Sequence, residues 1–255
     1  MNPGRTSDAR ALLARFPKTR PALPARIQEI YTAQYKENRA GGTPAASLAQ
    51  RLESWLHRRV ADDVADGRAT ETLELGAGTL NQLPFEPPSP AYDIVEPFAD
   101  LYLDSPHRGR IRDEFADIAE APLDRRYERI TSVASLEHMC DLPFVLGRAA
   151  RLLTPDGVLR AAIPSEGGLL WRLGWSLTTG LEFRLRHGLD YGILMRHEHV
   201  NEAWEVEGLI GALFEEVRVQ AFGIGRQFSL YRFIAARRPR LELAAQWERD
   251  FGPKA

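Results

Sequence analysis

Apolar positions along the chain follow two periods. In residues 45–66, Leu48, Leu52, Trp55, Leu56 and Val60 recur at three- and four-residue steps, which aligns them on one helix face. Residues 25–40 read as a preceding helix, set apart by Gly41, Gly42 and Pro44. Residues 1–24 are interrupted by Pro3, Pro17, Pro21 and Pro24 and predict an extended arm. From residue 72 the pattern changes to short apolar runs at 72–75, 92–96, 128–135 and 158–163. A short helix at 98–103 and an amphipathic one at 142–153 lie among them. The second stops at Thr154-Pro155-Asp156-Gly157. Residues 216–222 and 228–236 read as a closing pair of strands. Strands alternating with helices predict a doubly wound α/β domain. The expected sheet is mostly parallel and seven-stranded with an antiparallel last strand, covered on both faces. Ligands on such sheets bind at the carboxyl ends of the strands, near the switch in strand order.

Residues 164–200 break the alternation and read as an insertion after the fifth strand. They carry Trp171, Trp175, Phe183 and Tyr191, several arginines and three histidines. Insertions at the carboxyl edge are where substrate sites form. Trp171 and Trp175 are four apart and fit one helix face. The chain therefore divides into an arm and helical cap (1–66), a cofactor-binding domain (67–238, with the 164–200 insertion on its substrate side) and a tail (239–255).

Composition narrows the class. The 255 residues hold 33 basic and 35 acidic side chains, a balance that gives no general case for nucleic-acid or membrane partners. The single cysteine, Cys140, excludes an intrachain disulfide and fits a reducing, cytoplasmic setting. No apolar run reaches the roughly 20 residues of a spanning helix. The basic N-terminus has no apolar signal core.

The chemistry is concentrated at strand ends. Glu74-Leu75-Gly76-Ala77-Gly78-Thr79 closes the first strand. Glycines at 76 and 78 let the backbone turn sharply and approach a ligand, and the following turn can aim N–H groups at an anion. That anion is the pyrophosphate of a dinucleotide or the carboxylate of S-adenosylmethionine. In the second case Glu74 is placed to take the ammonium. Glu96, 22 residues after Glu74, ends the second strand and is placed to accept both ribose hydroxyls. Asp117 is placed to accept from an adenine amino group. These residues alone leave nicotinamide cofactors and S-adenosylmethionine both open.

The order and spacing of five segments resemble the class I S-adenosylmethionine-dependent methyltransferases that act on small molecules. The segments are Leu73-Glu74-Leu75-Gly76-Ala77-Gly78-Thr79, Asp93-Ile94-Val95-Glu96-Pro97, Phe115-Ala116-Asp117-Ile118, residues 127–138 ending Leu136-Glu137-His138, and Leu152-Leu153-Thr154-Pro155-Asp156-Gly157. The resemblance implies a Rossmann-like fold with S-adenosylmethionine as cofactor. It implies that Glu74, Gly76, Gly78 and Thr79 hold the methionine part, Glu96 the ribose and Asp117 the adenine, with Ser135 and Leu136 lining the pocket. Two positions depart from the pattern. Leu80 stands where the loop often has a third small residue. Pro84, Pro87, Pro88 and Pro90 restrict the usual first helix to a turn or two. Outside the core, residues 163–168 and 195–201 are similar to methyltransferases associated with bacterial surface-polysaccharide clusters. That similarity implies a small-molecule or glycan-related acceptor, with sugars and nucleotide-sugars in view.

Methyl transfer from a sulfonium is an in-line displacement that the protein aligns. An alcohol acceptor also needs a base, and histidine has the right range. His138, just past the fourth strand, is the first choice, with His197 and His199 as alternatives. If residues 196–200 are extended, His197 and His199 share a face, an arrangement that also permits a metal pair. With no further ligand assigned, no metal is expected. Two other readings stay open: a nicotinamide-dependent oxidoreductase on a similar fold, and a non-catalytic binding or scaffold module. The N-terminal helices suit either a lid over the cofactor or a homodimer surface.

Overall fold

The computed structural model describes residues 9–37, 46–225 and 227–253. Seven strands form one sheet in the order β3-β2-β1-β4-β5-β7-β6. They are β1 (Thr72–Leu75), β2 (Tyr92–Val95), β3 (Glu114–Phe115), β4 (Tyr127–Val133), β5 (Leu153–Pro164), β6 (Phe214–Ile224) and β7 (Phe228–Pro239). The first five run parallel, and β7 is antiparallel to both β5 and β6. β1 and β2 are buried at every position, as parallel strands covered on both faces must be. The strand order reverses between β1 and β4, so the crevice where a ligand binds opens at their carboxyl ends.

Helices α1 (Ala25–Glu37) and α2 (Ala46–Ala61) precede the sheet, and α3 (Leu142–Leu152) joins β4 to β5. The insertion holds α4 (Leu169–Trp175), α5 (Leu181–His187) and α6 (Tyr191–Glu198). α7 (Ala203–Leu213) leads into β6. The link from β1 to β2 contains only a 3₁₀ turn at Leu83–Phe85, as its prolines predict. The side chains of Leu48 and Leu52, residues 38–40 of the first expected helix and residues 1–8 of the arm lie outside the described residues.

One face of the sheet is covered by α3 and α7, and the arm contributes to the same core. Residues 9–13 are helical rather than extended, because Leu12 and Phe16 are buried in this core. Residues expected as a tail form α8 (Leu241–Phe251). Its Trp247 and Ala244 are buried in the same cluster, and Gly147 of α3 lets the two helices approach closely. On the other face, Leu56 and Val60 of α2 pack on Ala162 and Phe233. Two arginines tie this layer to the sheet. Arg129 of β4 binds Glu86 at 2.7 Å, Asp63 at 3.0 Å and the Val60 carbonyl at 3.0 Å. Arg160 of β5 donates to the Val60 and Arg59 carbonyls, each at 2.7 Å, a favourable cation at the end of α2.

Candidate functional site

The glycine loop lies at the strand-order switch. Gly76 takes φ +69°, and a Cβ there would fall 1.8 Å from Ser135 Oγ, so only glycine lets the β1 and β4 ends meet. Beside Gly78, at φ +52°, a Cβ would meet open space. Leu80 is buried at φ +67°, a region glycine occupies freely, so the departure from the loop pattern keeps a glycine-like backbone around an apolar side chain. Thr79 is exposed on the same turn.

Glu96 fastens this loop to the end of β2. Its Oε2 accepts from Gly78 N–H at 2.8 Å and its Oε1 from Phe98 N–H at 3.0 Å. Each carboxylate oxygen has a second lone pair for a further donor such as a ribose hydroxyl. Glu96→Ala removes the loop tether together with the carboxylate expected to accept the ribose hydroxyls. The expected loss is about 1–3 kcal/mol of cofactor binding, read by titration calorimetry. Wild-type affinity would take Glu96 out of the site.

Glu74 points to the opposite side of β1 from Leu73 and Leu75. Tyr92 Oη donates to its Oε2 at 2.8 Å. Burial pushes the Glu74 carboxyl up to about 8, against the pull of that hydrogen bond. At neutral pH it carries a proton, so partnering an ammonium requires binding to expel that proton first. The folded group holds its proton more tightly than the unfolded one at its ordinary 4.5, so its contribution to stability falls as pH rises from 4.5 to about 8. Glu74→Gln keeps the acceptor for Tyr92 and removes this slope. It is expected to stabilise the fold by about 3 kcal/mol at pH 7 and negligibly at pH 4. Urea melts at the two pH values test this, and equal stability of both proteins at pH 7 would refute it.

The other positions expected to meet the cofactor lie past the ends of β3 and β4. Asp117 caps the turn after β3, its Oδ1 accepting from Ala119 N–H at 2.8 Å. Ser135 is half-buried against Gly76, whereas Leu136 is fully buried in the main core.

Just past β4 lies a cluster of acids and imidazoles. A neutral His138 must donate from Nδ1 to the Glu198 carbonyl at 2.9 Å, because a carbonyl only accepts; its Nε2 is thereby left as the acceptor. That Nε2 lies 3.8 Å from Glu137 Oε1. The His138 and His199 rings meet edge to face at 4.9 Å between centroids. His199 Nδ1 bonds Glu166 Oε2 at 3.0 Å, and the same carboxylate accepts from Trp171 Nε1. Desolvation lowers the His199 pKa, but the Glu166 hydrogen bond and the charges of Glu137, Glu166 and Glu198 outweigh it, and the net shift is upward. Glu137 is fully enclosed. Burial raises its carboxyl pKa against the charges of His138 and His199, and its Oε2 has no hydrogen-bond partner among the described residues.

His197 stands apart from this cluster. Residues 196–198 belong to α6, so the condition of an extended 196–200 segment is not met and His197 does not share a strand face with His199. Instead, His197 Nδ1 bonds the Pro21 carbonyl at 2.7 Å. The cation-ligating geometry lies elsewhere: ligand atoms of Glu137, His138 and His199 all fall within 4.8 Å of one another. The arm straps across this rim. Arg20 donates to the carbonyls of His138 at 2.8 Å and His197 at 2.9 Å, and Lys18 binds the buried Glu205 at 2.5 Å.

No protein-family model and no curated protein sequence matches the chain. Solved structures do. A S-adenosylmethionine-dependent methyltransferase of Thermotoga maritima, described as a possible histamine N-methyltransferase, superposes with a TM-score of 0.52. It is 15% identical, over 84% of this chain and 98% of that one. The fold is that of the class I methyltransferases. The N-methyltransferase NodS of Bradyrhizobium japonicum, in complex with S-adenosylhomocysteine, gives a TM-score of 0.50 at 13% identity, over 75% of this chain and 87% of that one. At these identities the likeness is one of fold.

Within the methyltransferase fold, sequence reasoning passed over Glu137, Glu166 and Arg20. Glu166 follows β5 directly, at the carboxyl edge where such folds place site residues, and that position was its available signal. Arg20 acts through backbone carbonyls distant in sequence, which no local pattern announces.

Proposed function

We propose that the chain transfers a methyl group from S-adenosylmethionine to a hydroxyl of a small-molecule or glycan-related acceptor, sugars and nucleotide-sugars included. The observation carrying this reading is a pairing at one sheet edge. Glu96 holds the Gly78 loop at the switch point, where it suits a ribose, and at the end of the adjoining β4 strand His138 Nε2 makes no hydrogen bond among the described residues, with Glu137 Oε1 3.8 Å away. The residues suit the cofactor: Glu96 retains lone pairs, and the space beside Gly78 is open. When bound, S-adenosylmethionine supplies the electrophilic methyl. His138 takes the acceptor proton at Nε2 while Nδ1 stays bonded to Glu198 O, and the Glu198 carboxylate, 3.5 Å from Nδ1, favours the charged ring. The short link from β1 to β2 and Leu80 in the loop weigh against a dinucleotide site, which favours a third glycine and a full helix.

The test incubates the protein with S-adenosylmethionine labelled in its methyl group and a panel of sugars, nucleotide-sugars and amines. Label in a base-stable ether supports the reading. Label on nitrogen overturns the oxygen acceptor but keeps methyl transfer. No label anywhere, together with consumption of NADH in a parallel incubation that contains it, overturns both. Turnover is expected to survive EDTA. Loss on chelation, restored by Zn²⁺, would place a cation among Glu137, His138 and His199 in place of the base.

A further inference from the structure

The insertion carries two apolar faces, and only one is used. From α4 through the π-helical turn Ser176–Gly180 to α5 the chain is one continuous helix, about 28 Å long at 1.5 Å per residue. Its inner side forms the wall of the histidine cluster. Trp171 stacks near His199 and packs on Tyr231 at 5.4 Å between centroids, and Phe183 is buried. Its outer side presents Leu169, Leu173, Leu177, Leu181 and Leu185, all exposed, with Leu177 at 69% and Leu185 at 79%.

These leucines are spaced by four residues. In an uninterrupted α-helix such a row drifts around the axis, because a turn takes 3.6 residues. The wider π turn in the middle takes more residues per turn and counters that drift across Leu173, Leu177 and Leu181. The β6–β7 hairpin tip extends the same surface. Gln227 holds the start of α4 through Leu170 N–H at 2.8 Å, and beside Gln227 stand Ile224, 83% exposed, and Phe228, 56% exposed.

Charge identifies what covers this face. Residues 169–187 contain Arg172, Arg184 and Arg186 against a single acid, Glu182. None of the three arginines pairs with an acid among the described residues. A second copy of the chain would bring like-charged helices together, which costs association energy. Anionic lipid headgroups complement the arginines, and the acyl boundary takes the leucines, as for an amphipathic helix lying in a membrane surface. The near-zero net charge of the whole chain conceals this local excess of cations. Among the described residues no helix is long and apolar enough to cross a membrane, so the contact is with the surface.

We propose that helix 169–187, with Ile224 and Phe228 beside it, docks the protein on an anionic lipid surface. This holds independently of methyl transfer. The test is flotation of the purified full chain with vesicles of phosphatidylcholine, with and without phosphatidylglycerol, alongside light-scattering measurement of its mass. The expected result is flotation with the phosphatidylglycerol vesicles, weakened by salt and lost in Leu177→Asp/Leu185→Asp. That variant should keep the wild-type melting temperature, since both side chains are already solvent-exposed. Arg184→Gln/Arg186→Gln should lose the preference for phosphatidylglycerol. Three results would overturn the proposal: no flotation of the wild type, flotation unaffected by the leucine variant, or a wild-type dimer that the leucine variant dissociates while vesicle binding is absent.

Discussion

His138→Ala is expected to cut turnover by roughly 10²–10⁴-fold, the usual contribution of a positioned general base. Cofactor affinity should hardly change. The separation follows from the geometry. The proposed cofactor cradle rests on Glu96, Gly78 and the β2 end, none of which His138 touches. His138 is held by Glu198 O through its side chain and by Arg20 through its own carbonyl, and alanine keeps the second of these. A collapse of the rim would therefore be visible as a fall in melting temperature, distinct from loss of the base. Wild-type turnover on the true acceptor would remove His138 from the chemistry and turn attention to His199 with Glu166.

Arg129→Met should be the most damaging single change to stability, costing about 3–5 kcal/mol. Arg129 is 1% exposed and joins Glu86, Asp63 and the Val60 carbonyl across three parts of the chain. Methionine fills much of the volume but leaves the enclosed Glu86 carboxylate, among the described residues, with only the amide of Gln82 as a polar partner. An unpaired buried charge is far more costly than the pair was worth. The double variant Arg129→Met/Glu86→Gln should recover part of the loss, because it removes that charge. Urea unfolding checks both. A loss below about 1 kcal/mol in the single variant would mean that water reaches this network.

Most of the sheet was legible because its strands obey local rules. β1 and β2 are short and bounded by glycine or proline, and α3 stops at Leu152, just before Thr154-Pro155-Asp156-Gly157, which the structure carries as an irregular opening of β5 instead of a separate turn. The proline-rich link after β1 correctly announced a crossover with no full helix. The last helix was legible but passed over: Leu243, Ala244, Trp247 and Phe251 recur at helical spacing, and Ala244 and Trp247 are buried in the main core. The arm gives a weaker signal, because Leu12, Leu13 and Phe16 form a short stretch broken by Pro17, and their burial depends on surfaces from distant parts of the chain. The site divides in the same way. Glu96 and the glycines follow strand-end rules and fall where those rules place them. The cluster of Glu137, His138, Glu166 and His199 is assembled from β4, β5 and the end of α6, and tertiary packing alone brings it together. His197 illustrates the cost of assuming local structure: two residues from His199, it is turned by the helix toward Pro21.

The most direct measurement is calorimetric titration of the purified protein with S-adenosylmethionine, S-adenosylhomocysteine and NADH in parallel. Saturable one-site binding of the first two, weakened in Glu96→Ala, with no heat from NADH, is the predicted result. Binding of NADH alone would contradict it.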